Sequence, residues 1–345
     1  MVTTEADGTR LISLLSDAYG IQVDNLEPGE RGTVAETWVV ASPVGRFFVK
    51  SVPVGRYSTL LGRAVPIQAR LWDAGYIQMN RPIATTSGTL TVEMGTHILV
   101  VYDCIDGVAT NDYPFEPYVD LLSTLHQTKV AVDDQIETFD IDSAARAESV
   151  VKAALARRDR DPLVDAVRAA LERLGPSLER DIAEAHRTRL ALAARPNLAM
   201  VITHNDAAGN VMIRTDGRLC LVDWDELLLA PPERDTWRHL VDPVKAAAFL
   251  TCYRRTVPDH EPDVDAVRHY LLTWYFEEIE GLISPIVEPG TTPKVRARYW
   301  RWFQGSVPPL HEALRRLEQG DRPWLDHPAG PLGQEAPAGV PQWPP

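Results

Sequence analysis

Apolar residues recur at three and four in TRLISLLSDAYG, where Leu11, Leu14, Leu15 and Ala18 share one face, so the chain is predicted to begin with a short surface helix ended by Gly20. The pattern then changes to period two. Thr37 to Ala41 and Arg46 to Val52 predict two strands about a Ser-Pro-Val-Gly turn, and Leu90 to Met94 with His97 to Asp103 repeat the design about Gly95. The stretch GRAVPIQARLWDAG between these hairpins reads as helical, with Pro66 expected to begin or kink the helix. After Asp106-Gly107 the spacing becomes mainly helical. PYVDLLSTLHQ places Leu121, Leu122 and Leu125 on one face, and the stretch from about Asp142 to Arg195 predicts three helices with breaks at Pro162 and at Gly175-Pro176. A strand from Ala199 to Thr203 leads into two alternating strands around Asp216-Gly217, a two-residue turn signal, and further helices run from Pro243 to about Gln319. From Asp321 the tail is too rich in Pro and Gly for regular elements, and no internal repeat is found. The expected class is α+β, a small antiparallel sheet followed by a larger, mainly helical region.

Composition narrows the function classes. With 345 residues and 45% hydrophobic content, the chain can build one large domain or two lobes. Its formal charge of -13 argues against a nucleic-acid partner, which needs Lys and Arg patches, and suits a cationic small molecule as well as plain solubility. No window holds the ~18 to 20 consecutive apolar residues of a membrane span, and the polar, acidic start MVTTEADGTR has neither signal-peptide nor transit-peptide character, so a cytoplasmic protein is expected. Cys104, Cys220 and Cys252 lie far apart among apolar neighbours. They read as buried free thiols, with no zinc site and no disulfide frame.

Candidate chemistry concentrates between Val201 and Asp235, in VITHNDAAGNVMIRTDGRLCLVDWDELLLAPPERD. A loop carboxylate, Asp206, a carboxamide, Asn210, and a strand-end carboxylate, Asp223, match what phosphoryl transfer from a Mg-nucleotide requires: one group orients a hydroxyl and two hold the metal. Each taken alone fits a turn or strand end as well; together they are far more specific. His204 reads as a hydrogen-bonding residue that holds the loop. Lys50 closes the run Phe47, Phe48, Val49 and could anchor donor phosphates, although the strand alone favours an edge lysine that blocks strand pairing. Gly29 and Gly32 in EPGERGTV could form a loop over phosphates. Asp225, Glu226, Glu277 and Glu280 are candidates for binding a cationic acceptor, and Glu277 and Glu280 equally suit a solvated helix face.

On HNDAAGNVMI, LVDWDE followed by PPERD, and more loosely RFFVK and LLSTLHQ, the chain resembles the aminoglycoside phosphotransferase family over about Leu11 to Arg315, and it looks most similar to the spectinomycin phosphotransferase branch. The resemblance implies a two-lobed, protein-kinase-like fold: a nucleotide-binding lobe at 1–102, a linker at 103–107, a helical lobe with catalytic loop and acceptor site at 108–320, and the tail at 321–345. It also implies that Asp206 is catalytic, that Asn210 and Asp223 hold Mg2+, that Lys50 contacts the phosphates, and that the backbone of Tyr102, Asp103, Cys104 and Ile105 meets the purine of ATP or GTP. The implied reaction is O-phosphorylation of an aminoglycoside-like, aminocyclitol or nucleoside antibiotic. A metabolic kinase for choline, homoserine or a thiosugar, and a nucleotide-binding pseudokinase, are the alternatives. Two departures stand out. Only Ala207, Ala208 and Gly209 separate Asp206 from Asn210, one residue fewer than usual, with Gly209 expected to permit the tighter path. Where the family places a glutamate to pair with the lysine, Gln68 stands, with Glu30 and Glu36 as other available carboxylates.

Overall fold

The computed structural model describes residues 5–29, 35–157 and 161–326. In chain order the first elements are α1 (Glu5–Tyr19), β1 (Asn25–Pro28), β2 (Glu36–Ser42), β3 (Gly45–Pro53), α2 (Arg56–Asp73), β4 (Val92–Met94), β5 (His97–Asp103), β6 (Gly107–Ala109) and α3 (Phe115–Gln127). Then follow α4 (Ser143–Ala156), α5 (Pro162–Ala193), β7 (Val201–Thr203), β8 (Val211–Arg214), β9 (Leu219–Leu221) and β10 (Leu228–Ala230), and after them α6 (Glu233–Leu240), α7 (Ala246–Thr256), α8 (Val264–Val287), α9 (Pro293–Glu318) and α10 (Pro323–Asp326). The class is α+β, with an antiparallel sheet at the N-terminal end and a helical C-terminal region. Among the described residues no helix is long and apolar enough to cross a membrane.

Two compact units divide the chain, one from 1–136 with 201–230 and one from 137–200 with 231–345. In the first, an antiparallel sheet runs in the order β1-β2-β3-β5-β4. Alternation sorts its side chains to two faces. Val49, Leu99 and Val101 pack with Leu11, Leu15 and Tyr19 of α1, while Val52, Val100 and Tyr102 pack with Leu61 and Val65 of α2. Leu11 and Leu15 are wholly buried, each worth about 1.5–3 kcal/mol, so α1 is held by its apolar stripe. Lys50 pairs with Val100 across β3 and β5 and shares the α2 face; because β3 is an interior strand, Lys50 is no edge residue. Two smaller sheets, β6-β8-β9 and β10-β7, complete this unit.

The second unit is built around α8, whose Tyr275, Phe276, Ile279 and Ile283 are wholly buried, as expected of a helix covered on most sides by α4, α5, α6 and α9.

Several expectations change. Pro66 lies inside α2 and does not begin it; the helix starts at Arg56 after the N-cap Gly55, whose N–H donates to the Ser58 hydroxyl at 2.9 Å. Gly175-Pro176 does not break α5, so the stretch from 143 to 193 holds two helices and not three; a proline inside a helix removes one ladder bond without having to end the helix. The Asp216-Gly217 turn is longer than two residues. Arg214 N–H donates to Arg218 O at 2.9 Å, enclosing Thr215, Asp216 and Gly217, with Gly217 at φ +81° in the left-handed position of a three-residue hairpin loop. Cys104 is half-buried where Cys220 and Cys252 are buried; all three are free thiols. The tail begins with the short helix α10, and 327–345 falls outside the described residues.

Candidate active site

β7 pairs with β10, Thr203 opposite Leu228, and delivers the chain to His204. This histidine is buried, with Nε2 2.9 Å from the Val222 carbonyl, to which it must donate, and its ring packs on Trp224 at 4.6 Å between centroids. It ties the loop that carries Asp206 to the strand end that carries Asp223. Asn205 follows at φ +79°, a left-handed conformation that Asn tolerates better than most residues, and its amide donates to Glu226. Asp206 then opens a single 3-10 turn, Ala207–Gly209, which brings Asn210 back beneath it. Tyr113, a residue the sequence did not single out, donates from its hydroxyl to the Ala208 carbonyl at 2.9 Å and braces that turn.

The shortened loop therefore closes by a 3-10 path. Asn210 donates through Nδ2 to the Asp206 carbonyl at 2.9 Å and to its carboxylate at 3.2 Å, leaving the carboxamide oxygen as the atom able to meet a cation. Gly209 matters for a reason other than the expected one. It is not among the positive-φ residues; instead a Cβ there would lie 3.1 and 3.2 Å from the two Asp206 carboxylate oxygens. The requirement is space beside the carboxylate.

Across the hairpin, Val222 N–H donates to Asn210 O at 3.0 Å, so Asp223 emerges next to Asn210. Asp223 has φ +64°, strain of order 1 kcal/mol that persists at functional sites when the surroundings fix it. Buried Trp224, whose Nε1 donates to Leu221 O at 3.1 Å, pins the chain between Asp223 and Asp225. Both carboxylates reach Lys50. Nζ is 2.5 Å from Asp223 and 2.7 Å from Asp225, over sequence separations of 173 and 175.

Electrostatics bind these three groups. Burial works to lower the Lys50 pKa, but the two carboxylates outweigh it and hold the ammonium protonated above its ordinary value. Burial pushes Asp225 up, against the pull of Lys50, and the charges of Asp223 and Glu226 add to the rise. The hydroxyl of buried Tyr102 is pushed far up, first by burial and then by Asp225 and Asp223. Asp103 is raised by burial against Arg81, and Cys104 by burial against Arg46. Backbone bonds fix these last two residues, Asp103 N–H donating to Arg81 O at 2.9 Å and Cys104 N–H to Arg46 O at 3.1 Å.

Asp206, Asn210, Asp223, Asp225, Glu226 and Lys50 thus lie in one unit and are linked by the contacts above, and Tyr102 to Ile105 belong to the same unit. Glu277 and Glu280 belong to the other, where Arg146 holds Glu280 at 2.8 Å and Glu277 at 3.5 Å. Gly29 lies tight against β2, its N–H donating to Thr37 O at 2.8 Å, with no room for a Cβ beside the Thr37 hydroxyl. Gly32 and Glu30 are outside the described residues. Gln68 is engaged elsewhere: its Nε2 donates to the Asn80 carbonyl at 2.9 Å. Among the described residues no group of three or more His, Cys, Asp or Glu could hold a metal. The donors that adjoin are one carboxylate and one carboxamide, hard oxygen ligands that suit Mg2+ kept partly hydrated beside phosphates.

A family model described as the phosphotransferase enzyme family matches residues 25–279. No curated protein matches the sequence. Among solved structures, a spectinomycin phosphotransferase in complex with ADP and spectinomycin is 19% identical over 90% of this chain and 98% of its own, with a TM-score of 0.72. An aminoglycoside phosphotransferase from Alicyclobacillus acidocaldarius is 14% identical over 88% and 93%, with a TM-score of 0.58. An amicoumacin kinase in complex with AMP-PNP, Ca2+ and its antibiotic is 12% identical over 92% and 95%, with a TM-score of 0.57. At these identities the likeness is one of fold.

Proposed function

As the chain belongs to the phosphotransferase enzyme family, we propose that it transfers the γ-phosphoryl group of Mg-bound ATP or GTP to a hydroxyl of a small antibiotic in the cytoplasm. The single observation that carries this reading is the convergence of Lys50, Asp223 and the Asp206 to Asn210 turn from distant parts of the sequence. In this reading residues 1–102 bind the nucleotide, 103–107 link, and 108–320 carry the catalytic loop and acceptor site.

The roles follow from chemistry. Asp206, fixed by its turn and by Asn210, orients the acceptor hydroxyl and takes its proton late, as the bond to the leaving oxygen loosens. Asn210 through its oxygen and Asp223 would hold Mg2+, which supplies charge neutralisation at the phosphates when bound. Asp223 is suited to that exchange, with its side chain 52% exposed. Lys50 is a compact cation for the donor phosphates, and the backbone of Tyr102 to Ile105 meets the purine. Asp206, Asp223, Asp225 and Glu226 outnumber the one lysine among them, which favours an acceptor bearing an ammonium group, an aminocyclitol or aminoglycoside-like compound. Glu277 and Glu280 are spoken for by Arg146 and are weaker candidates for that contact.

The reading is tested by a phosphate-transfer assay of the purified protein with ATP and with GTP against aminocyclitol, aminoglycoside, peptide and nucleoside antibiotics. A phosphorylated antibiotic identified by mass is the expected result. Transfer only to a small metabolic alcohol, or to nothing despite a folded protein, would contradict it.

A further inference from the structure

Lys50 has two carboxylate partners, and they are not equivalent. The Asp223 side chain is 52% exposed whereas that of Asp225 is 18% exposed, close to the 11% of Lys50 itself. A hydrated cation can reach the first far more readily than the second. An ammonium carries three N–H donors, so Lys50 can keep one bond to a buried carboxylate and turn the other two toward phosphate oxygens. A lysine left alone at that point would lose its aim to its four-carbon stem. The helix that follows β3 offers no carboxylate for this work: buried Gln68 donates to the carbonyl and side-chain oxygens of Asn80, at 2.9 and 3.3 Å.

Resting on the phosphotransferase reading, we infer that Asp225 is the positioning carboxylate of Lys50, retaining the ammonium when Asp223 is given over to the metal. It comes from the strand end after β9 and not from α2, and Trp224 fixes its direction. The buried indole, braced on His204 and bonded to the Leu221 carbonyl, is the rigid residue between the two aspartates. Asp225 therefore acts on the donor phosphates through Lys50.

The test uses the full chain with Asp225→Asn, Asp225→Glu, Lys50→Ala and the double variant, and measures binding of non-hydrolysable adenosine and guanosine triphosphates with Mg2+. Asp225→Asn is expected to weaken triphosphate binding roughly tenfold, within the span of coupling between contacting charges, and Asp225→Glu to regain most of it. On the Lys50→Ala background the same change should add less than about twofold, because the partner is gone. A full tenfold loss on that background would overturn the assignment. So would a shift in the Mg2+ midpoint as large as that of Asp223→Asn, which would make Asp225 a metal ligand. A second readout needs no nucleotide: acylation of Lys50 by an amine-directed reagent, followed on its peptide by mass. Asp225→Asn should speed it several-fold and Asp225→Glu should not; equal rates would overturn the inference. If the native protein binds neither triphosphate, the functional reading fails and the acylation rates still decide the pairing. Melting curves confirm folding, with Asp225→Ser as the substitute if Asp225→Asn does not fold.

Discussion

Replacing Gly209 by alanine tests the shortened loop with one carbon atom. The added Cβ would stand 3.1 and 3.2 Å from the Asp206 oxygens, where ordinary contact begins near 3.4 Å, so the carboxylate must withdraw by a few tenths of an ångström. Asn210 moves with it, since its amide donates to the same carboxylate. A misplacement of about 1 Å costs catalysis about 100-fold, so a log-linear share for about 0.3 Å is a loss of roughly fourfold in kcat. Stability should move the other way. Gly209 has no left-handed φ, and restricting the unfolded chain by Gly→Ala stabilises by about 0.4–1 kcal/mol where the backbone fits. The assay is steady-state phosphate transfer, or nucleotide hydrolysis in water where no acceptor is in hand, beside a melting curve. Expected are a lower kcat, an unchanged KM for the nucleotide and an equal or higher melting temperature. Wild-type kcat in a folded variant would refute the steric argument, and a fall of several degrees in melting would refute the reading of the backbone.

Lys50→Ala leaves the half-buried Asp225 beside Asp223 without this counter-charge. Discounted for the exposure of Asp223, about 1–3 kcal/mol of stability should be lost at neutral pH, and the loss should shrink in acid as the carboxylates protonate; a pH-independent deficit in denaturant unfolding would count against it. In the second unit, burial raises Glu233 from 4.5 to about 7, opposed by the Asp263 N–H it accepts. The unfolded chain gives up this proton first, so stability should fall as pH rises from about 4.5 through about 7, by about 3 kcal/mol at about 1.4 kcal/mol per unit. Glu233→Gln, which can still accept from Asp263, should match wild type near pH 4.5 and exceed it at pH 8, and parallel stability curves would show that the carboxyl is not buried neutral.

Local pattern carried much of the fold. The alternating runs about Ser42 to Gly45 and about Gly95 became β2 with β3 and β4 with β5 within a residue or two, since half-buried strands must alternate. Pro176 misled because a proline inside a long helix costs one ladder bond and a local bend without ending the helix, and α5 runs on to Ala193. Asp206, Asn210 and Asp223 were legible as a group because all three lie within one short stretch of the chain. The partner of Asp225 was not, because it lies 175 residues away on an interior strand, and no local spacing reports such a contact. Lys50 had the same ambiguity for the same reason: strand order, which decides between an edge lysine and an inward one, is a property of the whole sheet.

Asp206→Asn addresses the central claim most directly. The variant keeps the size of the side chain and an oxygen to accept from Asn210, but it cannot take a proton from a hydroxyl. Phosphate transfer should fall by about 10²- to 10⁴-fold, while the affinity for Mg-triphosphate stays within about twofold of wild type. Near-normal turnover in this variant would contradict the account.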